Sequence, residues 1–354
     1  MKQKQLSDKL FSTIMKTSLL VIIFITVLFS VSCKHGKDDD KNKNIAINDT
    51  TPIGKKIATL SVLIGQNPKN PSLFHERAKL HMERMDFVNA SLDMQSVLKL
   101  DSSKAEYYVT IADVDFAANQ SRKSKEALEK ALSLDPKNIN ALEKIAELYL
   151  YVQQYDKSIS YLDQILKIDI QNPKAYFMKG MNFKEKGDST RAIGSFQTAI
   201  EQKKDYYDAY QQLGMIYTAK NNELALQYFD GALRVNPKSE ESLYGRAMCY
   251  QEVKHDYDKA IQDYTSITQI NPNNANAHFA LGYIHYQYLK VYDESIKHYS
   301  RAINAAPGWP EAVFNRGLAY ETLGNIAAAK ADYIQALKLR PDYKNAQDGL
   351  KRVK

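Results

Sequence analysis

The segment Tyr210-Gln211-Gln212-Leu213-Gly214-Met215-Ile216-Tyr217 is matched in kind by Leu142-Glu143-Lys144-Ile145-Ala146-Glu147-Leu148-Tyr149 and by Val313-Phe314-Asn315-Arg316-Gly317-Leu318-Ala319-Tyr320. In each, a large residue is followed four positions on by Gly or Ala, and three positions later by Tyr. Small-then-aromatic pairs follow downstream, as in Ala192/Phe196, Ala260/Tyr264 and Ala329/Tyr333, and Pro136, Pro237, Pro272, Pro307 and Pro341 close their units in phase. The period is about 34 residues, and it begins at Pro71, Ala105, Ile139, Pro173, Tyr207, Glu240, Ala275 and Pro310. Residues three and four apart share one helix face, so each period encodes two short helices joined by a turn. The eighth position of every unit is small (Ala78, Ala112, Ala146, Gly180, Gly214, Ala247, Gly282, Gly317), which lets two helix backbones approach while the aromatics fill the space beside them. One such hairpin cannot bury both of its faces, so the units must stack on one another and share stability along the chain.

This pattern resembles the tetratricopeptide repeat. The resemblance implies an all-α, right-handed superhelical solenoid of about eight helical hairpins, with the first helix of each lining a concave face. The units span 71–104, 105–138, 139–172, 173–206, 207–239, 240–274, 275–309 and 310–343. The units at 240 and 275 carry one extra residue, which we place in the turn between their helices near His255 and Leu289, and the unit at 207 lacks one near Asn221. Residues 52–70 place Ile57, Leu60 and Ile64 on one face and read as an N-terminal capping helix, half a repeat. Residues 344–354 read as a short polar C-terminal capping helix.

The beginning of the chain obeys different rules. Lys2, Lys4, Lys9 and Lys16 precede an apolar run from Leu19 to Val31, too short for a comfortable membrane span and suited to the core of a secretory signal. Ser30 and Ser32 stand just before Cys33, so that residues 1–32 resemble a bacterial lipoprotein signal peptide, with Ser30 where such signals usually carry Leu. The resemblance implies a lipidated Cys33 and attachment to a membrane through that lipid anchor, in the bacterial outer membrane at its periplasmic face or at the cell surface. Residues 33–51 are polar and charged, with almost nothing to bury, and read as a flexible tether.

Charge excludes one class of partner. The formal charge is +7, but four Lys and one Asp lie in residues 1–32, leaving 44 basic and 40 acidic residues spread over all units. Without a basic cluster interleaved with stacking aromatics, no nucleic-acid partner is expected. The two cysteines are Cys33 and Cys249; with the first acylated, no intramolecular disulfide forms. Cys249 occupies a position filled elsewhere by Leu80, Leu148 and Ile284 and reads as a buried side chain. The seven histidines are scattered, and His278 and His285 occupy core positions of their unit, so no metal is expected. No phosphate-binding loop, nucleophile elbow or carboxylate pair stands outside positions with a structural use, which points to a protein that is not an enzyme and needs no cofactor.

The expected function is therefore a membrane-anchored scaffold that binds a protein or peptide. The resemblance places the second, fifth, ninth, twelfth and thirteenth positions of each first helix on the concave face. In the later units these become Phe177/Met181, Gln211/Met215, Tyr244/Met248, Phe279/Tyr283 and Phe314/Leu318, with Tyr286 at a twelfth position, whereas the earlier units carry His75/Lys79, Val109/Asp113 and Glu143/Glu147. The eighth and eleventh positions already supply a core, so the apolar strip is expected to form a partner groove of aromatic anchors over a methionine floor. Phe279→Ala and Tyr283→Ala are expected to weaken partner capture with little change in melting. No fifth position is Lys, so the carboxylate clamp of some family members is not expected. The alternative is a structural or assembly subunit of an outer-membrane complex, bound through its convex face or its ends.

Overall fold

The structure is a computed structural model and describes residues 50–354. The chain divides into two compact units, Met1–Val62 and Leu63–Lys354. In the first, the described part is helical from Pro52, with Gly54, Ile57 and Leu60 buried, and that helix runs to Gln66. The second consists of helix pairs and a final helix, Lys344–Arg352, and no strand occurs among the described residues. The signal peptide, Cys33 and nearly all of the tether lie outside the described residues. Among the described residues no helix is long and apolar enough to cross a membrane.

The first helices of the pairs start at Pro71, Ala105, Ile139, Pro173, Tyr207, Glu240, Ala275 and Pro310. Their starts are built locally. Asn138, Asn172, Ser239 and Asn274 each accept a hydrogen bond from the backbone N–H three residues on, satisfying a donor that the helix cannot. Their ends are built by a left-handed residue in every unit: Met85, Asn119, Gln153, Gly187, Asn221, His255, Lys290 and Gly324 all have positive φ. The residue after each turns its N–H back to a carbonyl five or six positions earlier, as in Asp86 to His81 (2.8 Å) and Gln154 to Tyr149 (2.8 Å).

The two extra residues are not in the turns. Tyr250–Lys254 and His285–Leu289 are single π turns that extend the helices Glu240–Cys249 and Ala275–Ile284. The reversals at His255 and Lys290 keep the same left-handed geometry as in the other units. A wider last turn absorbs one residue, so that the closing hydrogen bond spans six residues instead of five (Asp256 to Tyr250, Val291 to His285), which corrects the expectation that the turns take up the insertion.

Each second helix packs on its own first helix and on the first helix of the next unit. The core is the line of rings Phe196, Phe229, Tyr264, Tyr299 and Tyr333, all at most 1% exposed, continued toward the N-terminus by Leu162, Leu128 and Met94. The small positions are needed because those rings are gripped from both sides. A Cβ on Gly214 would stand 2.7 Å from the Phe229 ring and one on Gly245, in the next unit, 2.4 Å from it. Three units add an arginine bound to a carboxylate that is at most 5% exposed: Arg77 to Asp93, Arg246 to Asp263 and Arg316 to Asp332, each through two hydrogen bonds.

Candidate functional site: one face of the first helices

The fifth position proves to be the contact between units. Phe177 lies 5.5 Å from Phe196 of its own second helix and stacks at 5.2 Å on Tyr206, the residue before the next first helix. Phe279 repeats this with Tyr299 (5.5 Å) and Trp309 (4.5 Å, stacked), and Phe314 with Tyr333 (5.6 Å) and Tyr343 (5.3 Å). Tyr244 meets Tyr264 at 5.3 Å. Where the fifth residue is polar it still reaches the next unit: His75 to Thr110 (2.8 Å), Glu143 to Lys174 (2.8 Å) and Gln211, which accepts from Ser242 (3.0 Å). Phe314 is 8% exposed, and Phe177, Tyr244 and Phe279 are half-buried. These four rings pack against their own second helix or the next unit, so Phe279→Ala, expected from the sequence to change melting little, also removes a contact between units.

The ninth position is different. Met181, Met215, Met248, Tyr283 and Leu318 are all half-buried, the three methionines and Leu318 leaning on core clusters and Tyr283 on the ring of Tyr288. Tyr286, at a twelfth position inside the second π turn, touches Tyr292 (5.5 Å), and its hydroxyl lies 3.3 Å from that of Thr322 in the next unit. Beside them Tyr288 stacks on Tyr257 at 4.0 Å and meets Tyr283 edge-on at 5.8 Å. Burial raises the Tyr283 hydroxyl above the ordinary phenol range and the Tyr288 hydroxyl well above it, so the surface they present is neutral.

In the second and third units the same position is ion-paired across helices. Asp113 binds Lys144 of the next unit (2.7 Å), and Glu147 shares Lys174 with Glu143 (3.1 and 2.8 Å). Lys79 is exposed. Phe116 and Tyr151, at twelfth and thirteenth positions, meet edge-on at 5.8 Å while 40% and 46% exposed. Two neighbouring first helices are also linked by Lys184, which donates to Gln212 at 2.7 Å.

Two buried groups carry no reactive chemistry. Cys249 is wholly buried and its thiol is pushed up to about 11, chiefly by burial, so it is a core side chain. His278, also buried, directs Nε2 at the Pro272 carbonyl (3.0 Å). The histidines are less scattered than their spacing suggests, because His298 on the second helix lies between His278 (rings 5.7 Å apart) and His285 (5.4 Å). Burial, with the two neighbouring imidazoles, lowers His298 to about 4. Among the described residues no group of three or more His, Cys, Asp or Glu is arranged to hold a metal ion.

Comparison with known proteins agrees with this geometry. Models described as tetratricopeptide repeat match residues 105–138, 310–343 and 177–240, and one described as TPR repeat matches 254–287. The chain is 26% identical over 166 residues to tetratricopeptide repeat protein 13 of Homo sapiens, covering 46% of this chain and 19% of that protein. It is 24% identical over 149 residues to a BBSome complex member BBS4 homolog of Drosophila melanogaster, covering 42% and 31%. The chain thus spans a fifth to a third of the length of these two relatives. A crystal structure of the C-terminal part of a TPR repeat-containing protein from Cytophaga hutchinsonii superimposes with a TM-score of 0.59 at 20% identity, over 68% of this chain and 98% of that one. The segments that these models match are tetratricopeptide repeats, and the likeness to that structure is one of fold.

Proposed function

We propose that this chain is a non-enzymatic scaffold that holds a segment of a partner protein against the first helices of units 173–343, and that a lipid on Cys33 fixes it to the bacterial outer membrane. The carrying observation is the change at the ninth position. From Met181 to Leu318 this position is apolar and half-buried in every unit, although the fifth position has already closed the contact between units. An apolar strip that the fold does not consume is the surface a partner segment would cover, and methionines give it an adaptable floor.

The experiment is capture from cross-linked envelopes with the wild-type chain and with a variant combining Met215→Gln, Met248→Gln and Tyr283→Ala. The variant is expected to lose the partner while melting close to wild type. Equal recovery would move the interface elsewhere. A second reading, assembly into a complex through the outer face or an end, draws on one observation: Met85, Val88 and Leu92 in the first unit are 72%, 73% and 54% exposed, and Val88 and Leu92 lie one helical turn apart. For the anchor, Cys33→Ser is expected to abolish labelling by a fatty-acid probe, and persistent label in that variant would refute it.

A further inference from the structure

Among the first-helix lysines that reach a neighbouring unit, Lys184 is handled differently. Lys144 and Lys174 each find a carboxylate there, Asp113 for one and Glu143 with Glu147 for the other. Lys184 finds only the neutral side-chain oxygen of Gln212, and no carboxylate of the described residues stands within ion-pairing distance. An ammonium has three donors and a full charge, and one amide oxygen satisfies a single donor and none of the charge. Burial accordingly pulls Lys184 below the ordinary lysine range, while Lys174, although partly buried, is raised by its two carboxylates.

Its place decides what that means. Lys184 follows Met181 by three residues on one first helix, and Gln212 precedes Met215 by three on the next. The bridge therefore lies one helical turn from each of these two methionines and on their face. A cation left without an ion-pair partner beside an apolar strip favours a partner that brings both an apolar surface and an acid.

We infer that the strip receives an apolar protein segment carrying an internal Asp or Glu, whose side-chain carboxylate pairs with Lys184 between Met181 and Met215. This rests on the binding face proposed above. The acid sets the register of the segment, because shifting it along the strip would withdraw the only ion-pair partner of Lys184, whose burial the adjacent Glu185 offsets only in part.

The test uses random peptides displayed with their C-termini fused to a phage coat protein, so that no chain-terminal carboxylate is offered, and panned against the full chain in mild detergent. Wild type is expected to enrich apolar peptides with an Asp or Glu at a fixed spacing, and changing that acid to its amide should weaken binding about tenfold. Lys184→Met should keep the apolar preference and lose the acidic one, and Lys184→Glu should select Lys or Arg at the same spacing. Enrichment without an acidic position, or equal binding of acidic peptides to wild type and Lys184→Met, overturns the inference while leaving the face intact. Peptides that bind a Met215→Gln, Tyr283→Ala variant as well as they bind wild type overturn the face itself, and the inference with it. Melting curves confirm that each variant is folded.

Discussion

The first three units and the last five use the same fold to make two different surfaces. In both, the fifth position of the first helix ties one unit to the next, by a hydrogen bond in His75 and Glu143 and by ring packing in Phe177, Phe279 and Phe314. The ninth position is where they part: Asp113 and Glu147 are neutralised by lysines of the following units, whereas Met181 to Leu318 are left as half-covered apolar groups. A charged face satisfied from within has little to offer a partner. An apolar face satisfied on one side only still gains by being covered. The difference is chemical, at one helical position, and needs no change in backbone architecture.

The most damaging way to break the comparison is to remove a fifth-position ring. Phe279→Ala deletes a side chain packed between Tyr299 and stacked Trp309, and should cost about 3 kcal/mol. Glu143→Ala removes a half-buried partner of Lys174, which retains Glu147, and should cost under about 1 kcal/mol. Urea unfolding followed by circular dichroism separates them; equal losses would mean that the rings do not join the units.

Acid should loosen both regions through different histidines. His75, packed edge-on to Tyr107, and His298, between two imidazoles, are each lowered from 6.5 to about 4, chiefly by burial. The unfolded chain therefore binds these protons first, so stability is full above about pH 6.5, falls as the pH drops toward 4, and is level below it. Near pH 5 each site should contribute a loss of about 2 kcal/mol. The charges facing His298 are Arg301, which opposes protonation, and Glu294, which favours it more weakly and is held by Lys297 at 2.6 Å. His298→Gln should flatten the pH dependence of the urea midpoint by about the His298 share. An unchanged slope would show that the cluster does not hold His298 neutral.

Much of this was legible in the sequence and some was not, for identifiable reasons. A helical period reports which way a residue points from its own axis, so the starts of the first helices and the burial of Cys249 could be read from spacing alone. It does not report what the next unit places opposite, so Phe279 was legible as a first-helix aromatic and its stack on Trp309 was not. Gly245 escaped for the same reason, since its role is fixed by Phe229 of the unit before. His298 stands on a second helix and meets His278 and His285 only through packing. The π turns were hidden because an extra residue leaves the same mark in sequence whether the helix or the turn takes it. The buried Asp263 and Asp332 gave one signal that could have been followed, an Arg at the seventh position of the same units.

The reversals give a smaller contrast. Met85, Asn119 and Gln153 hold the left-handed conformation in the first three units, while Gly187 and Gly324 hold it in the fourth and eighth. Side chains adopt it at a cost that glycine avoids. Met85→Gly should therefore raise stability by about 0.5 kcal/mol, and Gly187→Ala should lower it by about 1 kcal/mol. Thermal melts of the two variants should shift in opposite directions, and a loss in Met85→Gly would mean that its exposed side chain contributes packing that outweighs the strain.

The smallest effect expected is also the one that isolates the ninth position. Lys144 and Asp113 pair at 2.7 Å with side chains 29% and 40% exposed, open enough to water for the gain to be slight. Removing the pair by Lys144→Met together with Asp113→Asn should change stability by less than about 0.5 kcal/mol, and that remnant should shrink in molar salt, where the screening length falls to about 3 Å. It should also give the third unit an apolar group facing solvent at the tip of a formerly charged bridge. If the ninth position alone distinguishes the two regions, adding Glu147→Met and Asp113→Met to Lys144→Met should extend peptide binding toward the N-terminus at little cost in melting. Peptide protection measured by hydrogen exchange would register this as slower exchange at the ends of the helices Ala105–Ala117 and Ile139–Tyr151. No added protection there would mean that apolar ninth positions are insufficient and that the tyrosines around the second π turn, Tyr283, Tyr286 and Tyr288, supply what the earlier units lack.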